Sequence, residues 1–378
     1  MILPEILAHL KTRSGWIETH LRDLVQRESP SEDPAAVNSA ADLVEVWVRD
    51  MGGRIKRHQQ KQFGDVLELR FGPIRSTRKP ILLLGHLDTV WPLGTIATMP
   101  WKHAEDRYWG PGVLDMKAGV VMAIAAISSL QALKLARPLT LLLNSEEEIG
   151  SPVSRPITER LAQQSSAVFV LEPAQGLAYK TARKGVGHYE LRVNGVASHS
   201  GVDFERGHSA ILELARLIQT ISNFTDLARK LTVNCGVIAG GTRSNVVASH
   251  AHAEVDIRIA KASDAAYVEN LFRNLKVSDP HCKLQVTGGI NRPPMERKPG
   301  TIALFKQART LAADLGFNLH EAATGGGSDG NFTAALGIPT LDGMGAVGEG
   351  AHATHEHVLV EHLIPRTALL AAMIASVE

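Results

Sequence analysis

Four stretches of this 378-residue chain end in side chains able to bind a metal ion or move a proton. The apolar run Ile81-Leu-Leu-Leu-Gly85 is followed by His86-Leu-Asp88, and Leu139-Thr-Leu-Leu-Leu143 runs into Asn144-Ser-Glu146-Glu147-Glu148. Ala167-Val-Phe-Val-Leu171 ends on Glu172, and the glycine-rich segment Gly110-Pro-Gly-Val-Leu-Asp115 sets a carboxylate before a helix-like stretch. The C-terminal part contributes His352. Taken singly, each is ordinary: a His and an Asp two apart also cap turns, and adjacent glutamates open helices whose dipole favours them. Here, however, the acids directly follow apolar strands, and in open α/β sheets ligand sites form beyond the carboxyl ends of the strands. Imidazole with carboxylate suits zinc, and manganese or cobalt could substitute. A carboxylate shared by two cations fits ions about 3.5–4 Å apart. A nearby glutamate that is not a ligand can act as base towards water, and Asp88 can fix the tautomer of His86 through its far nitrogen.

The elements that must position these residues follow from the apolar patterning. Fully apolar strands separated by helical stretches (about 118 to 136 and 154 to 164) predict strands buried on both faces. The same alternation resumes after residue 300, with a helix over 301–315, a helical start near Gly330 and the run Ile338-Pro-Thr-Leu341. Between about 184 and 291 the pattern changes. Tyr189-Glu-Leu-Arg-Val193 and Glu254-Val-Asp-Ile-Arg-Ile259 alternate polar and apolar residues, as half-exposed antiparallel strands do. With helices over 207–222 and 262–275 and strands over 231–238 and 283–287, the order is β-α-β-β-α-β, a ferredoxin-like split. The expected fold is therefore α/β: a discontinuous catalytic domain (1–183 and 292–378) with an open, mostly parallel sheet, and an inserted α+β domain (184–291).

Composition narrows the function classes. Forty Lys+Arg against 39 Asp+Glu give a net charge of +1, and 44% of residues are hydrophobic. Neither a nucleic-acid nor a membrane footprint is expected from that balance. The N-terminal residues lack the basic and apolar regions of a secretory signal, so a cytoplasmic location is expected, or a periplasmic or secreted one if a leader precedes this segment. The run from Ala118 to Leu130 is expected as a buried helix. Cys235 and Cys282, the only cysteines, cannot build a disulfide framework and are expected as buried, inert thiols.

Five segments together resemble a known family: His86-Leu-Asp-Thr-Val90, Gly110-Pro-Gly-Val-Leu-Asp-Met-Lys117, Glu147-Glu-Ile-Gly-Ser151, Ala197-Ser-His-Ser-Gly201 and Gly325-Gly-Gly-Ser-Asp329. They are similar, in order and spacing, to the zinc exopeptidases that include carboxypeptidase G (glutamate carboxypeptidase), aminoacylase, acetylornithine deacetylase and succinyl-diaminopimelate desuccinylase. Asn144-Ser-Glu-Glu-Glu148 and the triple-glycine segment look most like the carboxypeptidase G branch. The resemblance implies two zinc ions, one on His86 and Glu172, the other on Glu148 and His352, with Asp115 between them. It implies Glu147 as general acid/base, leaving Glu146 structural, and a cis peptide between Asp115 and Met116. A spacing of His-x-x-x-Glu selects His352 with Glu356, leaving His355 and His357 as surface residues in a turn. His199 would stabilise the tetrahedral oxyanion, supplied in some members by the partner subunit, so a homodimer through the inserted domain is expected. Arg258 would bind the substrate's carboxylate, with Asn245 and Arg292 as further contacts; arginine's planar fork suits that task. Arg183-Lys184-Gly185 is expected at the domain hinge, its charge facing either the substrate or solvent, solvent being the expected case.

The activity implied is hydrolysis of the amide bond of a C-terminal or N-acylated amino acid, glutamate-like, from a small peptide or N-acyl amino acid. A deacylase of acetylated or succinylated amino acids would use the same fold and metals. A metal-free amino-acid-binding scaffold would need a missing ligand, and a dinucleotide enzyme would need Gly-x-Gly-x-x-Gly after the first strand; neither is found.

Overall fold

The computed structural model describes residues 3–377. The chain divides into two compact units, one formed by Met1–Ala182, Arg297–Ala323 and Ser328–Glu378, the other by Arg183–Glu296 and Thr324–Gly327.

The first unit is built on a six-stranded sheet. Its strands β1 (Arg54–His58), β2 (Val66–Phe71), β3 (Ile81–His86), β4 (Leu139–Asn144) and β5 (Ala167–Val170) lie in the order β1-β2-β4-β3-β5, and the two-residue strand Thr340–Leu341 completes the edge. From β4 to that edge all neighbours run parallel, while β2 is antiparallel to both β1 and β4. Every residue of β3 and β4 is buried, which is why these strands read as unbroken apolar runs rather than alternating ones.

The helix Ala118–Ala132 lies in the core of this unit, with twelve of its residues buried. By length and composition Val113–Ala132 could cross a membrane, but 89% of its apolar window is buried inside the protein. The helix stops at Ala132, short of the expected 136, because Leu133 leaves helical geometry and Lys134 takes a left-handed φ of 57°. Close packing at its start depends on Gly119, where a Cβ would fall 2.1 Å from the Leu171 carbonyl oxygen.

The second unit is a four-stranded antiparallel sheet of β6 (Gly185–Asn194), β7 (Thr232–Gly240), β8 (His250–Ile259) and β9 (Lys283–Arg292), ordered β7-β8-β6-β9. With helices Ala210–Ser222 and Ser263–Arg273 between strands, this is the β-α-β-β-α-β split. The first helix begins three residues later than 207, because Ser209 is its cap and accepts a hydrogen bond from the Leu212 amide. Alternate residues of β6 and β8 point into a core with Leu214, Leu217 and Phe272. The unit reaches a few residues beyond 184–291. Arg183 and Met295 exchange backbone hydrogen bonds, and the Lys184 amide donates to the Thr324 carbonyl. Both cysteines are free thiols. Cys282 is buried as expected, but Cys235 on the edge strand β7 is only half-buried.

Replacing Gly119 with alanine would force the helix away from the strand end that carries Glu172. Gly119→Ala is expected to destabilise the protein by about 1–3 kcal/mol, measured by urea unfolding; an unchanged midpoint would show that the contact yields without cost.

Candidate metal centre

Three chain segments leave the sheet side by side and carry the acidic cluster. β3 ends in His86 and is paired with β4 so that His86 sits opposite Asn144. β5 runs parallel to β3 and passes through Leu171 to Glu172. Asp115 comes from a wide turn over Val113–Lys117, which follows a left-handed Gly112 (φ 69°) whose absent Cβ leaves room for Thr89. The peptide from Asp115 to Met116 is cis, as the resemblance implied. His352 itself has a left-handed backbone, φ 62°, a conformation that costs a non-glycine residue energy and persists where the surroundings impose it.

The side chains converge. His86 Nε2 lies 3.3 Å from Asp115 Oδ1 and 3.7 Å from Glu172 Oε1. His352 Nε2 lies 3.2 Å from Glu148 Oε2 and 3.5 Å from Asp115 Oδ2. Two trios, His86–Asp115–Glu148 and His86–Glu147–Glu172, present ligand atoms within 4.8 Å of one another. Glu147, expected as the base, thus stands within ligand reach of the cluster as well.

Several of these atoms are buried without hydrogen-bond partners: His86 Nε2, Asp115 Oδ1 and Glu148 Oε1. Leaving such groups unsatisfied is costly, and they aim at one small region. A divalent cation there would satisfy all three, and the nitrogen and carboxylate donor set fits zinc. The tautomer of His86 agrees with this. Its Nδ1 donates to the Asp88 backbone carbonyl at 3.0 Å, so the neutral ring presents the Nε2 lone pair.

That bond makes Asp88 the residue that fixes the His86 tautomer, as expected, through its backbone. Its carbonyl, not its carboxylate, orients His86; the nearer carboxylate oxygen is 3.4 Å away. The buried Asp88 carboxylate accepts instead from the Glu147 and Glu148 amides, each at 3.1 Å, and from Ser31 Oγ at 2.6 Å. It anchors the turn that carries the two glutamates. Buried Glu146 does the same from the other side, accepting from the Val153 and Ser154 amides. Asp329 closes the frame through hydrogen bonds from Asn144 and Ser151.

Protonation follows from the crowding of charge. The Asp115 and Glu148 carboxylates beside His352 push its imidazole up to about 10. Burial would lower His86, but Asp115 and Asp88 hold it well above the ordinary histidine value. Burial would raise Asp115, yet the His352 and His86 imidazoles hold it well below the usual carboxylate range. Burial pushes Glu148 up.

In the second unit, His199 lies in a loop pinned by a bridge to Val246, with the Ser200 amide donating to the Asn245 carbonyl. The Gly201 amide donates to His199 Nδ1 at 3.1 Å, so the neutral ring carries its proton on Nε2. Arg258 Nε and Nη2 are both held by Asp256, each at 2.8 Å, and Nη1 donates to the Gly325 carbonyl. Arg292 is buried at the end of β9, and Asn245 is exposed.

Two expectations are corrected. Arg183 is buried rather than solvent-facing, and its Nη1 donates to the Gly326 and Gly327 carbonyls. His357 is no surface residue: it begins a short strand opposite Trp109 and packs on that ring at 4.5 Å. Sequence reasoning missed Ser31, Trp91 and Arg366, named Glu356 only as the spacing partner of His352, and gave Asp329 no role. Of these, only Glu356 carried a sequence signal, its spacing of four from His352.

Residues 82–376 match the model of peptidase family M20/M25/M40. The chain belongs to this family. Its enzymes are metal-dependent peptidases and amidohydrolases, which agrees with the cluster above. The chain is 28% identical over 364 residues to carboxypeptidase G2 of Pseudomonas sp. (strain RS-16), covering 93% of this chain and 86% of that one. It is 27% identical over 312 residues to acetylornithine deacetylase of Myxococcus xanthus, covering 79% and 80%. Among solved structures, the M20 family metallo-carboxypeptidase Sso-CP2 of Sulfolobus solfataricus shares the fold, with a TM-score of 0.76 at 16% identity over 95% of this chain and 98% of that one.

Imidazole binds metal in its neutral form, so a metal taken up here would expel the protons that the neighbouring carboxylates favour on His352 and His86. Zinc binding to the metal-free protein at pH 8 is expected to release protons, and affinity to rise as pH increases towards about 10. Calorimetry in buffers of differing ionisation enthalpy measures this; a buffer-independent heat would contradict it.

Proposed function

We propose that this protein is a two-zinc exopeptidase of the carboxypeptidase G kind, hydrolysing the amide bond of a C-terminal or N-acylated, glutamate-like amino acid. The observation that carries this reading is the convergence of His86 Nε2, Asp115 Oδ1 and Glu148 Oε1, buried and without hydrogen-bond partners. His86 and Glu172 would hold one ion and Glu148 and His352 the other, with Asp115 shared; cobalt or manganese could substitute. Bound divalent ions supply Lewis-acid polarisation of a carbonyl and make water at the site more acidic.

The remaining chemistry belongs to the chain. Glu147 takes a proton from water as its oxygen attacks the amide carbon. It returns a proton to the nitrogen as the carbon–nitrogen bond breaks, leaving a carboxylate and an amine. Its amide is fixed on Asp88, which limits the turn's freedom to carry the carboxylate elsewhere. His199, with Nε2–H as donor, stabilises the oxyanion. Arg258 recognises the carboxylate of the departing amino acid, with Asn245 and Arg292 as further contacts. Asp256 occupies the Nε and Nη2 edge of Arg258 and Gly325 one Nη1 hydrogen, so the substrate carboxylate would take the remaining Nη1 and Nη2 hydrogens.

The same reading includes a homodimer through the second unit. Its support is the edge strand β7, with exposed Val237 and Ile238, beside the helix that exposes Ile211 and Leu212. Sedimentation showing only monomer at micromolar concentration would remove this part.

Glu147→Gln is expected to lose several orders of magnitude in kcat while keeping both metals, and His199→Ala to lose about 10²–10³-fold in kcat. Near-normal turnover in either variant would take that residue out of the mechanism. On the zinc-loaded protein, glutamyl amides with aromatic acyl groups should be cleaved faster than N-acetylated and N-succinylated amino acids. The opposite ranking would favour a deacylase.

A further inference from the structure

We infer that Glu356 is a positioning residue that holds Asp115 and His352 in one frame, so that both can serve the same pair of cations. Its carboxylate is fully buried and takes four donors from two distant segments. Oε1 accepts from the Leu114 amide at 2.8 Å and the Asp115 amide at 3.0 Å. Oε2 accepts from the Gly112 amide at 2.8 Å and from Trp91 Nε1 at 2.9 Å. The turn that presents Asp115 is thus tied at three of its own amides to a single carboxylate, one of them the amide of Asp115 itself.

Its backbone makes the same connection. The Glu356 amide donates to the Ala353 carbonyl, closing the turn that directly follows His352, and the Glu356 carbonyl accepts from the Gly110 amide. Residue 356 therefore links two loops that lie more than 240 positions apart in the chain. Charge and shape both matter. A carboxylate offers acceptor sites for all four donors, whereas an amide in its place would set an NH₂ group against two N–H donors. Aspartate would fall one methylene short.

The inference rests on the two-metal reading, so the test reports on that reading separately. Full-length wild type, Glu356→Gln and Trp91→Phe would be freed of metal and titrated with Zn²⁺ against a competing chelator. The same proteins would be loaded with Co²⁺ for visible absorption, and their metal-free forms followed by circular dichroism and thermal melting. Wild type should bind two equivalents. Glu356→Gln should remain folded, bind at least one equivalent about 10–100-fold more weakly, the usual effect of losing a residue that orients metal ligands, and show an altered cobalt spectrum. Trp91→Phe, which removes one donor of four, should shift affinity in the same direction by less.

A folded Glu356→Gln protein with wild-type affinity for both equivalents and an unchanged cobalt spectrum would overturn the inference, since a purely structural role predicts lower melting alone. Should Glu356→Gln not fold, Trp91→Phe decides: unchanged affinity and spectrum overturn it, and weaker binding supports it. Wild type binding fewer than two equivalents would overturn the two-metal reading, and the positioning role would then stand or fall on the equivalent that remains.

Discussion

Carboxylates gathered in a buried space repel one another and lose their hydration, so they stay together only where positive charge or hydrogen-bond donors compensate each of them. Asp115, Glu147, Glu148 and Glu172 stand in that situation around His86 and His352. The chain supplies part of the compensation through the two imidazoles. Three buried polar atoms of the cluster, His86 Nε2, Asp115 Oδ1 and Glu148 Oε1, have no hydrogen-bond partner, and a divalent cation would satisfy them.

A second set of acids solves a different problem and must not be confused with the first. Asp88, Glu146, Asp329 and Glu356 are buried too, but their oxygens are occupied by backbone amides, hydroxyls, an indole or a side-chain amide. They act as anchors for the turns that leave the sheet. Turns of this kind lack a ladder of their own, and a buried carboxylate is an efficient acceptor for several converging N–H groups. Small residues then allow the close approach the anchors require: Gly119 admits the Leu171 carbonyl, and Gly345 packs against the same strand end. Buried Arg366 donates to the Gly343 and Gly345 carbonyls and stacks on Tyr179.

Much of this was legible without coordinates. The fully apolar runs of β3, β4 and β5 marked a sheet covered on both faces, and the alternating pattern of β6 and β8 marked a sheet with one wet face. Each run also stopped at a residue of a metal-ligating type, and the structure brings those side chains together. Less legible were residues whose type is unremarkable and whose role comes only from their neighbours. Arg183 looked like a charge for solvent, yet it is buried on two glycine carbonyls; His357 looked like one more histidine of a turn, yet it starts a strand against Trp109. Helix ends moved by a few residues where a cap such as Ser209 or a left-handed residue such as Lys134 overrode the periodicity.

Pattern and residue type by themselves determined the layer architecture, the split of the inserted unit and the family, because hydrophobic period and motif order are properties of the one-dimensional chain. Tertiary structure alone decided which of the acids are left with unsatisfied atoms and which are bound to the backbone. It decided that the carbonyl of Asp88, rather than its carboxylate, sets the His86 tautomer, and that Gly201 puts the proton of His199 on Nε2. The physical reason is that satisfaction of a buried polar atom depends on donors brought from remote parts of the chain, at distances and angles that spacing along the sequence does not encode.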